Sequence, residues 1–253
     1  MRPGDAAAEV PLRQHRIPGV YNLRDTGGYA AAEGTTRWRR LFRSDGLHRL
    51  GDGAHEQLTR LGVVHVLDLR SSGERTASPS RLGGLGVVVH HVPVFESAEP
   101  TALATSATGL ASVYDRVVDG HGAQLVDAIR VIASAAEDEA VLVHCTAGKD
   151  RTGIVVGFTL AAVGVASDVV ATDYALTAKN LAGEWADEML DSVQRRGHTL
   201  TEGIVELVTA SPAPVMAALL ARVTLEHGSI AQYLHVHGLT EDELGLLKRN
   251  LVA

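Results

Sequence analysis

Cys145 is the only cysteine in the chain, and Arg151 follows it across the five residues Thr146, Ala147, Gly148, Lys149 and Asp150. A thiolate becomes a strong nucleophile where a cation and the start of a helix stabilise its charge. An arginine offers a planar fork that fits two phosphate oxygens at once. A tight loop that ends in a helix collects backbone N–H groups around an anion. The chemistry these parts permit is in-line attack of sulfur on a phosphate monoester, followed by hydrolysis of the thiophosphate. In that scheme residues Thr146 to Arg151 hold the phosphate through N–H groups and charge. Thr152 offers its hydroxyl to the sulfur when it leaves, and Gly148 and Gly153 permit close backbone approach.

The leaving group needs a proton, and two carboxylates compete to supply it. Asp150 comes first because it sits beside Arg151 at the rim of the loop; its alternative role is to orient the loop or balance Lys149 and Arg151. Asp68 comes second, at a strand end where it could instead pair with an arginine. His144 is expected to be a hydrogen-bond partner of the loop rather than a base. Lys149 either touches the substrate phosphate or braces the loop. A Walker A loop is excluded, because Gly148-Lys149 runs into Asp150 and position 143 is valine. Arsenate reduction commonly uses resolving cysteines, and the chain has none. The reading from another class is a phosphate-binding protein that senses a phosphorylated ligand without turnover. The presence of Cys145, Arg151 and Thr152 together weighs against it.

The surrounding elements have to hold this loop. Ala140–His144 reads as a buried strand feeding it, and the apolar run from Ile154 to Ala161 as the helix behind it. Val63–Leu69 and Val87–Val92 are further strands, the first ending in Asp68-Leu-Arg70, where α/β sheets present their ligand crevice. Residues 20–29 and 37–43 suggest a hairpin on the sheet edge, where Arg24, Asp25, Arg43 and Asp45 look like a solvated surface with local ion pairs. A short helix is expected over 52–61, with Asp52 as cap and Gly62 as stop. Helices follow over 110–118 and 123–136. Residues 96–109 are irregular and long enough for a lid or a mobile loop. The C-terminal part is helical: 167–179 capped by Ser167, 181–195, a helix opened by Pro212 and Pro214, and a last one behind the capping box Thr240-Glu-Asp-Glu243. The fold class is α/β, a central mainly parallel sheet flanked by helices, with a helical C-terminal half. Residues 1–16 read as a flexible leader and 17–253 as a single domain.

Composition narrows the function classes. A net charge of -7 argues against a nucleic-acid partner. No HExxH or C-x-x-C spacing calls for a metal, and the chemistry asks for no cofactor. The N-terminus lacks the apolar core of a secretory signal, and no run is long enough for stable membrane insertion. The chain is therefore expected in the cytoplasm, unless exported by a route without a signal peptide. Of 23 basic residues only Lys149, Lys179 and Lys248 are lysines, so a lysine inside the loop stands out.

His144-Cys-Thr-Ala-Gly-Lys-Asp-Arg-Thr-Gly153 resembles the signature loop of the protein tyrosine phosphatase superfamily, and within it a bacterial branch whose loop reads HCxAGKDRTG. Asn22-Leu-Arg-Asp-Thr-Gly-Gly-Tyr29 resembles that branch's NxRDxGGY, Leu41–Asp45 its FRS element and Asp68-Leu-Arg70 its DLR strand end. Asp173-Tyr174, Gly228–Leu234 and Gly238–Thr240 match later helical segments more loosely. The resemblance spans nearly the whole chain. It implies a protein-tyrosine phosphatase, with phosphoserine, phosphothreonine and phosphoinositides as further substrates in some members. It also implies Asp150 as acid, the role usually given to the loop aspartate in that branch; most tyrosine phosphatases carry the acid on a separate Trp-Pro-Asp loop, and this chain has no such signature. A lysine in the loop is shared with lipid-directed members of the superfamily.

Overall fold

A computed structural model of the chain describes residues 12–95 and 109–253. Strand β7 (Ala140–His144) is its centre, and every residue of it is buried. Its side chains alternate between two cores. Val141 and Val143 join one cluster with Ile154, Phe158, Tyr174 and Leu220, while Ala140 and Leu142 join another with Leu23, Phe42, Leu58 and Val66. A strand covered on both faces must be apolar throughout, so this one shows no polar alternation.

Parallel neighbours flank β7 on both sides: β4 (Leu41–Ser44) pairs Ser44 with His144, and β5 (Val63–Asp68) pairs Asp68 with His144. The order is β1-β4-β7-β5-β6, with β6 (Val88–His91) parallel to β5 and β1 (Arg24–Asp25) antiparallel to β4. The chain thus leaves β4, skips a place to β5 and β6, and returns to fill the gap with β7. Such a reversal opens a crevice at the carboxyl ends of the strands, where the cysteine loop emerges. The expected edge hairpin is present as β1 and β4; a small one, β2 (Ala30–Ala31) with β3 (Gly34–Thr35), branches from it.

Helix α1 (Ala54–Arg60) crosses from β4 to β5, α2 (Ser72–Ala77) follows β5, and α3 (Leu110–Gly120) and α4 (Gly122–Ser134) precede β7. Helix α5 (Asp150–Ala162) leaves the loop. The helical half is α6 (Ser167–Leu181), α7 (Glu184–Arg195), α8 (Glu202–Thr209), α9 (Ala213–His227), α10 (Ile230–Val236) and α11 (Glu241–Leu251). Among the described residues no single helix is long and apolar enough to cross a membrane.

Several expectations need correction. Helix α1 is capped by Gly53 in the left-handed region (φ 76°), not by Asp52, and α6 by Ala166, with Ser167 already inside its first turn. Helix α5 begins at Asp150 rather than after Thr152, so the loop's last residues are already helical. Helices α2 and α8 fall in stretches too short for a periodic pattern to show. Within the expected leader, Arg13 donates to the carbonyls of Asp25 and Gly27. Residues 1–11, and 96–108 of the expected lid or loop, lie outside the described residues.

The largest correction concerns the sheet edge. Arg24, Asp25, Arg43 and Asp45 are buried, not solvated. Asp173 of α6 accepts from Arg24 Nε at 3.1 Å and from Arg43 Nη1 at 2.7 Å. Tyr29 adds a hydroxyl at 3.0 Å. Burial alone would raise the Asp173 pKa, but the two guanidiniums overcome it and hold the carboxyl at about 2. Asp45 accepts from the amides of Tyr21 and Asn22 at 2.9 and 2.8 Å. Asp173→Asn leaves two buried guanidiniums without counter-charge, and the expected loss is ~3–5 kcal/mol of unfolding free energy in a denaturant titration. A loss under about 1 kcal/mol would show that the cluster is not a fastener.

Candidate active site

Every carbonyl of the loop is tied back into the protein. Cys145 O accepts from His144 Nδ1 at 3.1 Å and Thr146 O from the Gly46 amide at 2.9 Å. Asn22 Nδ2 reaches Ala147 O at 3.1 Å and Gly148 O at 3.2 Å, and Arg43 Nη2 donates to Gly148 O at 2.8 Å. With its carbonyls turned outward, the loop directs amide hydrogens to its inside. Among the described residues none of the amides of Thr146 to Lys149 donates to another backbone carbonyl. Gly148 makes the turn possible: its φ is +63°, and a Cβ there would lie 2.1 Å from the carbonyl oxygen of Ser44. Cys145, 2% exposed, stands at the mouth of this nest.

Arg151 is held by a residue the sequence reading did not single out. Glu74 takes its Nη1 and Nη2 at 2.6 and 2.7 Å, a bidentate fork, and accepts the Thr146 hydroxyl at 2.6 Å. Glu74 is also half of a capping box, with Ser71 Oγ accepting from the Glu74 amide and the Glu74 carboxylate from the Ser71 amide. The signal was in the sequence: Ser71-Ser-Gly-Glu74 has the capping-box spacing immediately after the Asp68-Leu-Arg70 strand end. Burial pushes the Glu74 carboxyl up, but Arg151 outweighs it and brings the group to about 2. Two of the five guanidinium donors are used this way, leaving three for an anion. The Phe95 ring lies 5.0 Å from the Arg151 guanidinium carbon. Thr152 Oγ1 is buried with no hydrogen-bond partner among the described residues.

The other expected residues divide. Asp150 lines the same cavity as Cys145 and is the first residue of α5; Tyr114 donates to its Oδ1 at 2.7 Å and lies 2.6 Å from the Tyr174 hydroxyl. Lys149 is 1% exposed; its ammonium donates to the carbonyl of Leu207 at the end of α8 and lies 3.6 Å from Asp150. Of its two expected roles, the geometry is that of a brace. Asp68 does not line the Cys145 cavity and is gripped by Arg70 at 2.9 and 2.7 Å. Burial opposes ionisation of Asp68, yet Arg70 and His144 keep its pKa below the ordinary value. His144 falls to about 4, chiefly through burial, so the ring is neutral at pH 7 and donates from Nδ1 to the Cys145 carbonyl.

Apolar side chains wall the cavity: Phe95, Val113 of α3, Trp185 and Met189 of α7, and Leu207 and Val208 of α8. The space enclosed is about 100 Å³.

The acid-side stability of the protein follows from these pairs. Glu74 and Asp173 are both depressed to about 2, from ordinary values of 4.5 and 3.8. A carboxyl with a depressed folded pKa stabilises the fold above its unfolded pKa, and that stability is lost as pH falls toward the folded one. The melting temperature is expected to drop as pH falls from about 4.5 to about 2. Glu74→Gln should make that drop shallower, and should cut kcat/KM by about 10–100-fold through a loosened Arg151. A Glu74→Gln profile that superimposes on the wild type would refute the linkage.

The sequence profile described as the tyrosine phosphatase family matches residues 15–253. The triple specificity protein phosphatase PtpB of Mycobacterium tuberculosis is 32% identical over an alignment that covers 89% of this chain and 94% of that protein. A tyrosine-protein phosphatase of Nostoc commune is 30% identical, over 83% of this chain and 74% of its own. Among solved structures, TpbA of P. aeruginosa bound to phosphotyrosine is 18% identical over 66% of this chain and 80% of that one, with a TM-score of 0.39. An overlap that loose adds nothing to the fold described above.

Proposed function

The chain belongs to the tyrosine phosphatase family and is a protein-tyrosine phosphatase, and we propose that it works through a covalent phosphate intermediate on Cys145. The observation that carries this reading is the loop whose carbonyls are all tied outward around a buried cysteine, with Arg151 fixed beside it. The Cys145 thiolate attacks phosphorus; the S–P bond forms as the bond from phosphorus to the phenolic oxygen breaks. Asp150 gives its proton to that oxygen. The loop amides and the three free Arg151 donors hold the equatorial oxygens, where charge builds up. In the second half a water attacks phosphorus, Asp150 takes its proton, and sulfur leaves toward the unpaired Thr152 hydroxyl. Inorganic phosphate is the product.

Phosphotyrosine fits the walls, because an aromatic ring between Phe95, Trp185, Met189 and Leu207 buries its apolar faces. A cavity of about 100 Å³ is below the ~300–1,000 Å³ of ordinary ligand sites, so in this reading α7 and α8 swing outward to admit the side chain. The triple specificity for which the mycobacterial relative is named supports a second reading, in which this chain also takes substrates beyond phosphotyrosine; the loop resemblance points to phosphoserine, phosphothreonine and phosphoinositides as the classes to test. Phosphoinositide contact through Lys149 would require its ammonium to leave the Leu207 carbonyl.

Cys145→Ser is expected to bind a phosphotyrosyl peptide and release no phosphate; unchanged turnover would sink the mechanism. A wild-type protein that binds aryl phosphates without hydrolysing them would establish the sensing alternative. Asp150→Asn should slow phosphate esters of poorly leaving phenols by about 10²–10⁴-fold, and esters of good leaving groups far less. Equal losses on both would remove Asp150 from the acid role.

A further inference from the structure

A second space of about 460 Å³ opens beside the catalytic cavity. The two share Thr146, Trp185, Met189, Ser192 and Arg196, so a single layer of side chains separates them. Their chemistry is opposite. Where the first is walled by apolar groups, the second is lined by Arg49, Arg70, Arg195 and Arg196 with His48, against only Glu74 and Glu188.

Most of those charges are already matched. Arg70 is held by Asp68, Glu74 by Arg151, and Arg49 by Glu188. Arg195 and Arg196, at the C-terminal end of α7, have no ionic partner among the described residues and are exposed. His48 adds a buried Nδ1 with no hydrogen-bond partner among the described residues. Burial lowers its pKa, and so do Arg49, Arg70 and Arg81, which marks a positive field at its ring. A hollow with two arginines unmatched among the described residues, on a chain of net charge -7, is a local reversal of sign that attracts anions.

We propose that this hollow is a second anion subsite, which takes a phosphate group carried a few residues from the phosphotyrosine on the same protein substrate. The inference rests on the reading of the Cys145 loop as the phosphotyrosine site. The shared wall fixes the scale: an extended peptide advances ~3.3–3.6 Å per residue, so a neighbouring side chain one to three residues away reaches across it. The apolar walls around Cys145 favour a peptide over an inositol headgroup, because they match an aromatic ring and not a polyol. Contacts so far from phosphorus act equally on ground and transition states, so the gain falls in KM and leaves kcat alone.

The test compares two phosphotyrosyl peptides, one with a hydrolysis-resistant phosphonate side chain two residues away and one with a neutral residue there. The wild type is expected to favour the phosphonate peptide by about tenfold in kcat/KM, through KM, with the gain shrinking as salt is raised. In the double variant Arg49→Ala/Arg195→Ala, which leaves Arg196 of the shared wall intact, the ratio should fall to about one. A wild-type ratio of one, or a ratio that survives in the variant, overturns the subsite. Failure to hydrolyse either peptide would instead overturn the Cys145 reading beneath it. A variant-sensitive gain for inositol bisphosphate over monophosphate, with none between the peptides, assigns the hollow to headgroups and likewise overturns the proposal.

Discussion

One buried carboxylate holds the Cys145 loop in place. Asp173 lies on α6, yet it grips Arg24 of β1 and Arg43 of β4, and Arg43 passes the constraint on to the Gly148 carbonyl. Two cations share one anion there, and the surplus positive charge lies directly behind the phosphate loop. Arg24 meets it in part by donating to Asn22, whose side-chain amide in turn holds the carbonyls of Ala147 and Gly148. A loop that must present N–H groups inward has to discharge its carbonyls outward, and a buried carbonyl without a donor costs about 1–3 kcal/mol. The Arg24–Arg43–Asp173 cluster, with Asn22, supplies the donors for Ala147 and Gly148, while His144 and the Gly46 amide serve Cys145 and Thr146. The sheet edge and a distant helix are thereby committed to the geometry of five residues.

This explains what the sequence could and could not tell. The strand, loop and helix from Ala140 to Ala162 were legible because their signals are local: a continuous apolar run, a glycine where φ must be positive, and a second apolar run at helical spacing. Arg24, Asp25, Arg43 and Asp45 were misread because four charged residues in a short span look solvated on their own. The two arginines are matched by Asp173, 149 residues away from Arg24, and no local pattern carries that distance; Asp25 and Asp45 are buried against backbone amides, which the side-chain pattern does not show. Glu74 was lost for a related reason. Its capping box is local and readable, but its grip on Arg151 spans 77 residues. The caps of α1 and α6 failed differently: a favourable capping side chain stands one position before the true cap in α1 and one after it in α6, and neither true cap makes a side-chain hydrogen bond.

The charge pattern has the same two-level character. The chain as a whole is acidic, yet the catalytic loop, the guanidiniums beneath it and the hollow beside it are basic. Within the site the arginines are not equivalent. Arg70 and Arg43 are consumed by structural carboxylates, and Arg151 is clamped end-on by Glu74 while three donors stay free. A clamp of this kind removes part of the attraction for phosphate. In return it fixes the plane of the fork, which a long side chain would otherwise have to order when substrate binds.

Lys149 shows how the loop and its cover act on one another. Removing an ammonium from water costs several kcal/mol unless partners replace its hydration. Here those partners are the Leu207 carbonyl of α8 and the nearby carboxylate of Asp150. The same contact that satisfies the lysine therefore pins α8 over Cys145. The outward movement of α8 in the proposed reading would break it and release a positive charge beside the Cys145 loop, next to the carboxylate proposed as acid. In the proposed reading, cover and charge are coupled in one bond: the arrangement seen has an apolar mouth and a sequestered lysine, and an outward swing of α8 would give room for an aromatic ring and free a cation to meet its phosphate. A leucine or methionine at position 149 would remove that coupling while leaving the Cys145–Arg151 spacing untouched, so the spacing by itself does not describe this loop.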